Sequence, residues 1–147
     1  MNECSNPPVG QPAKAAARPP WSGWRGSGSI LVVDDDDSIR SVVARTVTRL
    51  GFKVNQASDG RQAVAQFESD PGLHSLVLLD YKLPGMDGSE VLSRLRRARP
   101  DARVILMSGL SREEALEEFT DLGVSGFLQK PFTLEMLVAE LRAALDS

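Results

Sequence analysis

The chain has 147 residues, 41% of them hydrophobic and 25% charged, with a net charge of −3; this is enough apolar material for one core and too little length for two ordinary domains. No basic footprint for nucleic acid is present, since the one candidate cluster, "SRLRRAR" at 93–99, has the spacing of the solvated side of a helix. A lone cysteine, Cys4, excludes an intrachain disulfide, no apolar run approaches the ~20 residues that cross a bilayer, and no signal-peptide core opens the chain, so a cytoplasmic protein in a reducing compartment is expected.

Residues 1–28 differ from the rest in composition. Pro, Ala, Gly and Ser dominate, no apolar period is visible, and the segment cannot bury enough surface to offset its ordering entropy. It is read as a flexible tail or linker ahead of a folded domain at 29–147. Trp21 and Trp24 are the exceptions within it; they are read as residues of a flexible arm, with docking on the folded domain as the alternative.

From Ile30 onward, short apolar runs alternate with helical patterns. Strands are expected at 30–34 (ILVVD), 53–57 (KVNQA), 75–80 (SLVLLD), 103–108 (RVILMS) and 125–129 (SGFLQ). After the first strand, Ile39, Val43, Val47 and Leu50 keep one helical face apolar until Gly51 stops the helix. A second helix at about 59–69 has Asp59 as N-cap and Ala63, Val64 and Phe67 inward. The third, at about 88–98, turns Val91, Leu92 and Leu95 inward; the fourth, at about 111–122, turns Ala115, Leu116 and Phe119 inward. The last opens at Thr133 and buries Leu134, Leu137, Val138, Leu141 and Leu145. Strict alternation of strands and helices predicts an α/β fold, a parallel sheet covered on both faces, and the continuously apolar third and fourth strands agree.

In such sheets, ligands gather beyond the carboxyl ends of the strands. There the first strand delivers Asp34 and Asp35, the third Asp80, the fourth Ser108, and the fifth leads into Lys130 and Pro131. Crowded carboxylates raise one another's pKa and destabilise a domain unless a cation sits among them. An all-oxygen set without His or Cys favours Mg²⁺ or another hard cation. Ser108 and Lys130 then suit a phosphoryl group as hydroxyl and point charge. Asp80, alone at the end of a buried strand, is the best candidate nucleophile.

The motifs "VVDD" at 32–35, "LLDYKLPGMDG" at 78–88, "LMSG" at 106–109 and "GFLQKPF" at 126–132 resemble, in order and spacing, the response-regulator receiver domains of bacterial two-component signalling. The resemblance covers residue 30 to the end and is particularly close to receivers at the C-terminus of hybrid histidine kinases. It implies a doubly wound five-stranded sheet with five helices, flavodoxin-like, in strand order 2-1-3-4-5. It also implies that Asp80 accepts a phosphoryl group from a histidine of a partner sensor kinase. Asp34 and Asp35 would hold Mg²⁺, Asp35 directly and Asp34 largely through water, with Asp80 and the backbone carbonyl of Lys82 completing the protein ligands. Ser108 and Phe127 correspond to the switch positions, Lys130 to the lysine that neutralises the acyl phosphate, and the Lys130–Pro131 peptide is expected to be cis. The resemblance further implies no turnover beyond phosphorylation and dephosphorylation of Asp80, and an output through a downstream protein, onward phosphotransfer or a phosphorylation-dependent homodimer. A DNA-binding output segment is not expected after the fifth helix.

Several residues depart from the pattern or invite a plainer reading. Asp36 and Asp37 extend the acidic run, and Asp37 or Ser38 is expected to cap the first helix. The cationic side chain of Lys82 stands close to the mouth of the site. Asp87 is read as a helix cap, His74 as a surface loop residue, Met86, Met107 and Met136 as core or turn filler, and "REEALEEF" at 112–119 as an amphipathic helix with a solvated acidic face. Two rival functions exist. A haloacid dehalogenase-type phosphatase would use Asp34 and Asp36 with Ser108 and Lys130, but it needs a later acidic motif and leaves "LLDYKLPGMDG" unexplained. A receiver-shaped interaction module that is never phosphorylated leaves a complete set of chemical groups without a use.

Overall fold

The computed structural model describes residues 24–119 and 123–146. Its elements alternate as β1 (Ser29–Val33), α1 (Asp37–Arg49), β2 (Lys53–Ala57), α2 (Gly60–Ser69), β3 (His74–Asp80), α3 (Gly88–Ala98), β4 (Val104–Ser108), α4 (Arg112–Phe119), β5 (Gly126–Gln129) and α5 (Leu134–Asp146). All strands run parallel in the order β2-β1-β3-β4-β5, the doubly wound, flavodoxin-like sheet that the sequence predicts.

Successive strand residues point to opposite faces, so each strand feeds two cores. Leu31, Val33, Val77, Leu79 and Leu106 meet Phe67 of α2 and Val91 and Leu95 of α3. Ile30, Val32, Leu76, Leu78 and Met107 meet Val43 and Val47 of α1 and Leu137 and Leu141 of α5. The uninterrupted runs in β1, β3 and β4 follow from this burial on both sides.

Side-chain caps start the helices. Asp59 accepts from the Gln62 N–H at 2.8 Å, Asp87 from Glu90 at 3.0 Å, and Thr133 from Met136 at 3.1 Å, each as expected. For α1 the cap is Asp36, which accepts from the N–H groups of Ser38 and Ile39 at 2.9 and 3.1 Å, and not Asp37 or Ser38. The strand ends at Val33, leaving Asp36 as the last extended residue and Asp37 already in the first helical turn.

Other expectations need correction. His74 is not on a surface loop: β3 reaches one residue further than the pattern suggested, to pair with Ser29, and the ring is 2% exposed, stacked on Phe67 with Nε2 2.9 Å from Asn55 Oδ1. In "SRLRRAR", Arg94 and Arg97 are solvated, but Arg96 donates to the Gly123 carbonyl at 2.6 Å and Arg99 to that of His74 at 2.8 Å. Leu134 and Met136 stand exposed in the first turn of α5, at 46% and 43%, because that turn precedes the helix's contact with the sheet. The predicted end of the fourth helix and the side chains of Leu116 and Phe119 lie outside the described residues, as does Trp21. Trp24 is docked, 6.0 Å from the Phe52 ring and beneath the guanidinium of Arg142 at 5.8 Å. No described helix is long and apolar enough to cross a membrane.

Candidate functional site

Parallel strands bring their carboxyl ends to one rim, and the chain leaves β1 toward β2 on one side and β3 on the other, which opens a crevice between the two. Asp34 lies just past β1 and is 0% exposed, while Asp80 is the last residue of β3 and is 5% exposed. Every polar group of Asp34 has a partner. Its N–H donates to the Ala57 carbonyl at 3.1 Å and its own carbonyl accepts from Arg40 at 2.7 Å. Oδ1 accepts from the Asp36 N–H at 2.9 Å, and Oδ2 from Lys130 Nζ at 2.8 Å. Asp35 is exposed at the mouth.

Oxygens of Asp34, Asp35 and Asp80 lie within 4.8 Å of one another, so the first and third strand ends do converge. Lys130, just past the end of β5, reaches across with Nζ 3.3 Å from Asp80 Oδ2, so a single ammonium serves two carboxylates. That does not neutralise the pocket. Burial and the charge of Asp34 push the Asp80 carboxyl up to about 6, against the opposing pull of Lys130 and with a further push from Asp35. Burial lowers the Lys130 ammonium, but its hydrogen bond to Asp34 and the charges of Asp80 and Asp34 outweigh that, and its pKa is raised. The pocket is thus short of positive charge. Three oxygen donors without a sulfur or imidazole fit a hard divalent cation such as Mg²⁺.

Ser108 closes β4 and is 3% exposed, its Oγ accepting from the Leu110 N–H at 3.2 Å. The Lys130 N–H donates to the Ser108 carbonyl at 2.7 Å, which fixes the lysine beside it, and the Lys130–Pro131 peptide is cis. Phe127, in register with Leu106 on β4, is half-buried against the core on the α2–α3 side. Lys82 is exposed on the loop leaving β3. That loop folds back tightly: the Gly88 N–H donates to the Tyr81 carbonyl at 2.8 Å, and a Cβ on Gly88 would stand 2.7 Å from the Tyr81 carbonyl oxygen.

Two residues that sequence reading passed over belong to this region. Arg40, one turn past the cap Asp36, leans back toward the helix N-terminus as helical side chains do. Glu140 of α5 accepts from the Phe127 N–H at 3.1 Å and so ties the edge strand β5 to α5. The signal for Arg40 was its position one turn after the cap; for Glu140 no local signal exists. An apolar cleft of about 440 Å³ runs beside Lys130 between α1 and the β5–α5 loop, lined by Ile39, Val42, Val43, Pro131, Phe132 and Leu134.

Residues 30–142 match the family described as response regulator receiver domain. Among curated relatives, the transcriptional regulatory protein TcrA of Mycobacterium tuberculosis is 40% identical over 114 residues, which cover 78% of this chain and 44% of TcrA. The sensor kinase CckA of Brucella abortus is 31% identical over 121 residues, covering 82% of this chain and 13% of CckA. The chain therefore spans less than half the length of either relative. Among solved structures, the chemotaxis protein CheY4 of Vibrio cholerae superposes with a TM-score of 0.74 at 29% identity, covering 82% of this chain and 100% of that one. A CheX–CheY complex with BeF3 and Mg²⁺ from Borrelia burgdorferi gives 0.74 at 27% identity, covering 79% and 87%. A sheet in the order 2-1-3-4-5, an acidic crevice at its carboxyl rim and a family match over residues 30–142 agree, and the chain belongs to the response-regulator receiver domains.

Proposed function

We propose that this receiver takes a phosphoryl group onto Asp80 from the phosphohistidine of a sensor histidine kinase and passes the change to a protein-interaction surface. One observation carries the reading: Asp80 is a buried carboxylate at a strand end, held at about 6 by burial and by Asp34, with one shared lysine as its cation. Above that value it is ionised and poorly solvated, which is the condition of an activated nucleophile. An Asp80 oxygen attacks phosphorus, the phosphorus–nitrogen bond to the donor imidazole breaks, and the imidazole leaves with the electron pair and takes up a proton. Lys130, already 3.3 Å from Asp80, supplies positive charge to the incoming group, and the Ser108 hydroxyl donates to one of its oxygens. Asp34, Asp35, Asp80 and the Lys82 carbonyl would hold Mg²⁺, which when bound offsets the negative charge of the phosphoryl oxygens.

The donor kinase packs, on this reading, against the apolar cleft beside Lys130, whose walls include the exposed Val42 and Leu134. Phosphate drawing the Ser108 hydroxyl frees space for Phe127 to turn inward, and the face of α4, β5 and α5 then favours a downstream protein, a further phosphotransfer partner or a second copy of the chain. The action is placed in the cytoplasm, with hydrolysis of the acyl phosphate as the only turnover. The BeF3- and Mg²⁺-bound relative supports the reading by its likeness. Intact-mass measurement after incubation with acetyl phosphate and Mg²⁺ tests it. One base-labile phosphoryl adduct is expected on the wild type and none on Asp80→Asn; an adduct that persists in the variant contradicts the assignment.

A further inference from the structure

Arg40 is 16% exposed in its side chain, and each of its three guanidinium nitrogens makes a hydrogen bond. Nη1 donates to the main-chain carbonyl of Asp34 at 2.7 Å, Nη2 to Asp37 Oδ1 at 2.6 Å, and Nε to Gln56 Oε1 at 3.2 Å. These partners come from the β1–α1 loop, the first turn of α1 and the edge strand β2. Three-point attachment of a planar fork fixes orientation as well as distance, which a lysine cannot do. The carbonyl that Arg40 grips belongs to the peptide joining Asp34 to Asp35. Asp34 is held independently through its N–H and both carboxylate oxygens. Asp35 is exposed, and the plane of that shared peptide sets where its Cα stands at the mouth.

We infer that Arg40 is a positioning residue for the cation site: by clamping the Asp34–Asp35 peptide against α1 and β2, it aims the Asp35 carboxylate toward Asp34 and Asp80 and sets the affinity for a divalent cation. The inference rests on the metal-dependent reading above and goes beyond it by assigning that role to a residue that contacts neither metal nor phosphoryl group. Partners that orient first ligands typically change metal affinity by about 10–100-fold when removed. Asp37 holds the guanidinium from one side and Gln56 from the other, so loss of either anchor should loosen the clamp less than loss of Arg40 itself.

Mg²⁺ titration by calorimetry on wild type, Arg40→Lys and Gln56→Ala, each checked for native circular dichroism, tests this without reference to phosphorylation. Arg40→Lys keeps the charge and loses the fork; its Mg²⁺ dissociation constant should rise about tenfold, and that of Gln56→Ala by a smaller factor in the same direction. If both variants bind Mg²⁺ as wild type does, with only their melting temperatures lowered, Arg40 is a structural brace and the inference is overturned. A wild type that takes no Mg²⁺ defeats the metal-dependent reading and the inference with it. A wild type that binds Mg²⁺ alongside unchanged variants defeats the inference alone. If Arg40→Lys does not fold, Gln56→Ala decides by itself, since it leaves the arginine and its other two bonds in place.

Discussion

The two ends of the sheet are built on opposite terms. At the amino end, groups find partners: Trp24 packs on Phe52 beneath Arg142, the Gly26 N–H donates to the Leu50 carbonyl at 2.8 Å, the Gly28 carbonyl accepts from the Lys53 N–H at 2.9 Å, and Arg99 caps the carbonyl of His74. At the carboxyl end, one ammonium stands among three acidic groups and leaves Asp80 raised to about 6. One rim contributes to stability through packing and satisfied hydrogen bonds; the other holds unfavourable negative charge that a bound cation would offset. Changes at the amino end should therefore lower stability and leave the Mg²⁺ response intact, and changes at the carboxyl end should alter the Mg²⁺ response and raise the stability of the metal-free domain where they remove a carboxylate.

The largest stability effect is expected at Gly26. A Cβ there would sit 1.9 Å from the Phe52 ring, so Gly26→Val must displace the ring or the backbone at Gly26, at a cost of about 1–3 kcal/mol in chemical denaturation. Trp24→Ala removes one tilted aromatic pair and one cation–π contact and should cost about 1–2 kcal/mol. A variant at either position that lost its Mg²⁺ response while remaining folded would break the separation of the two ends.

The pH dependence separates them again. Because Asp80 is raised from 3.8 to about 6 in the folded state, the fold binds more protons than the unfolded chain between those values, and stability falls as pH rises through that window. The size is on the order of 1 kcal/mol once solvent screening is allowed for. Asp80→Asn should abolish this slope in metal-free buffer. His74 acts with the opposite sign and more weakly. Burial lowers its pKa below 6.5, against the charge of Asp70, so the unfolded chain binds the extra proton and stability falls as pH drops below 6.5. The ring's Nδ1 has no partner among the described residues, so a proton placed there finds no acceptor. His74→Gln should flatten that acidic limb; equal limbs in variant and wild type would remove His74 as its cause.

The same contrast explains what the sequence could and could not disclose. Strand ends are local: an apolar run that stops at Asp34, Asp80 or Ser108 announces both the strand and the rim residue, so the order of elements and the acidic crevice are legible from pattern alone. The amino end depends on contacts between distant segments. Trp24 lies in a stretch whose composition reads as a linker, yet its partners, Phe52 and Arg142, come from just before β2 and from α5. Arg96 and Arg99 sit in a charge run that looks solvated, and only the fold brings carbonyls of Gly123 and His74 within their reach. His74 looks like a loop residue in the sequence because strand length at a buried sheet's lower edge is set by the neighbouring strand, here at Ser29, and not by its own residues. The helix cap moved from Asp37 to Asp36 for a smaller reason: four adjacent aspartates offer equivalent side chains, and the backbone turn selects among them.

Thermal melts with and without Mg²⁺ on wild type, Asp35→Asn and Asp37→Asn test the central claim most directly. If the carboxyl rim stores repulsion that a cation relieves, wild type gains about 2.7 kcal/mol at a hundredfold excess of Mg²⁺ over its dissociation constant. Asp35→Asn should then be more stable than wild type without metal and gain little with it, while Asp37→Asn, whose amide oxygen can still accept from Arg40, keeps most of the response. An Asp37 variant that loses the metal effect while Asp35→Asn retains it would contradict the account and move the cation site to a different register of the acidic run.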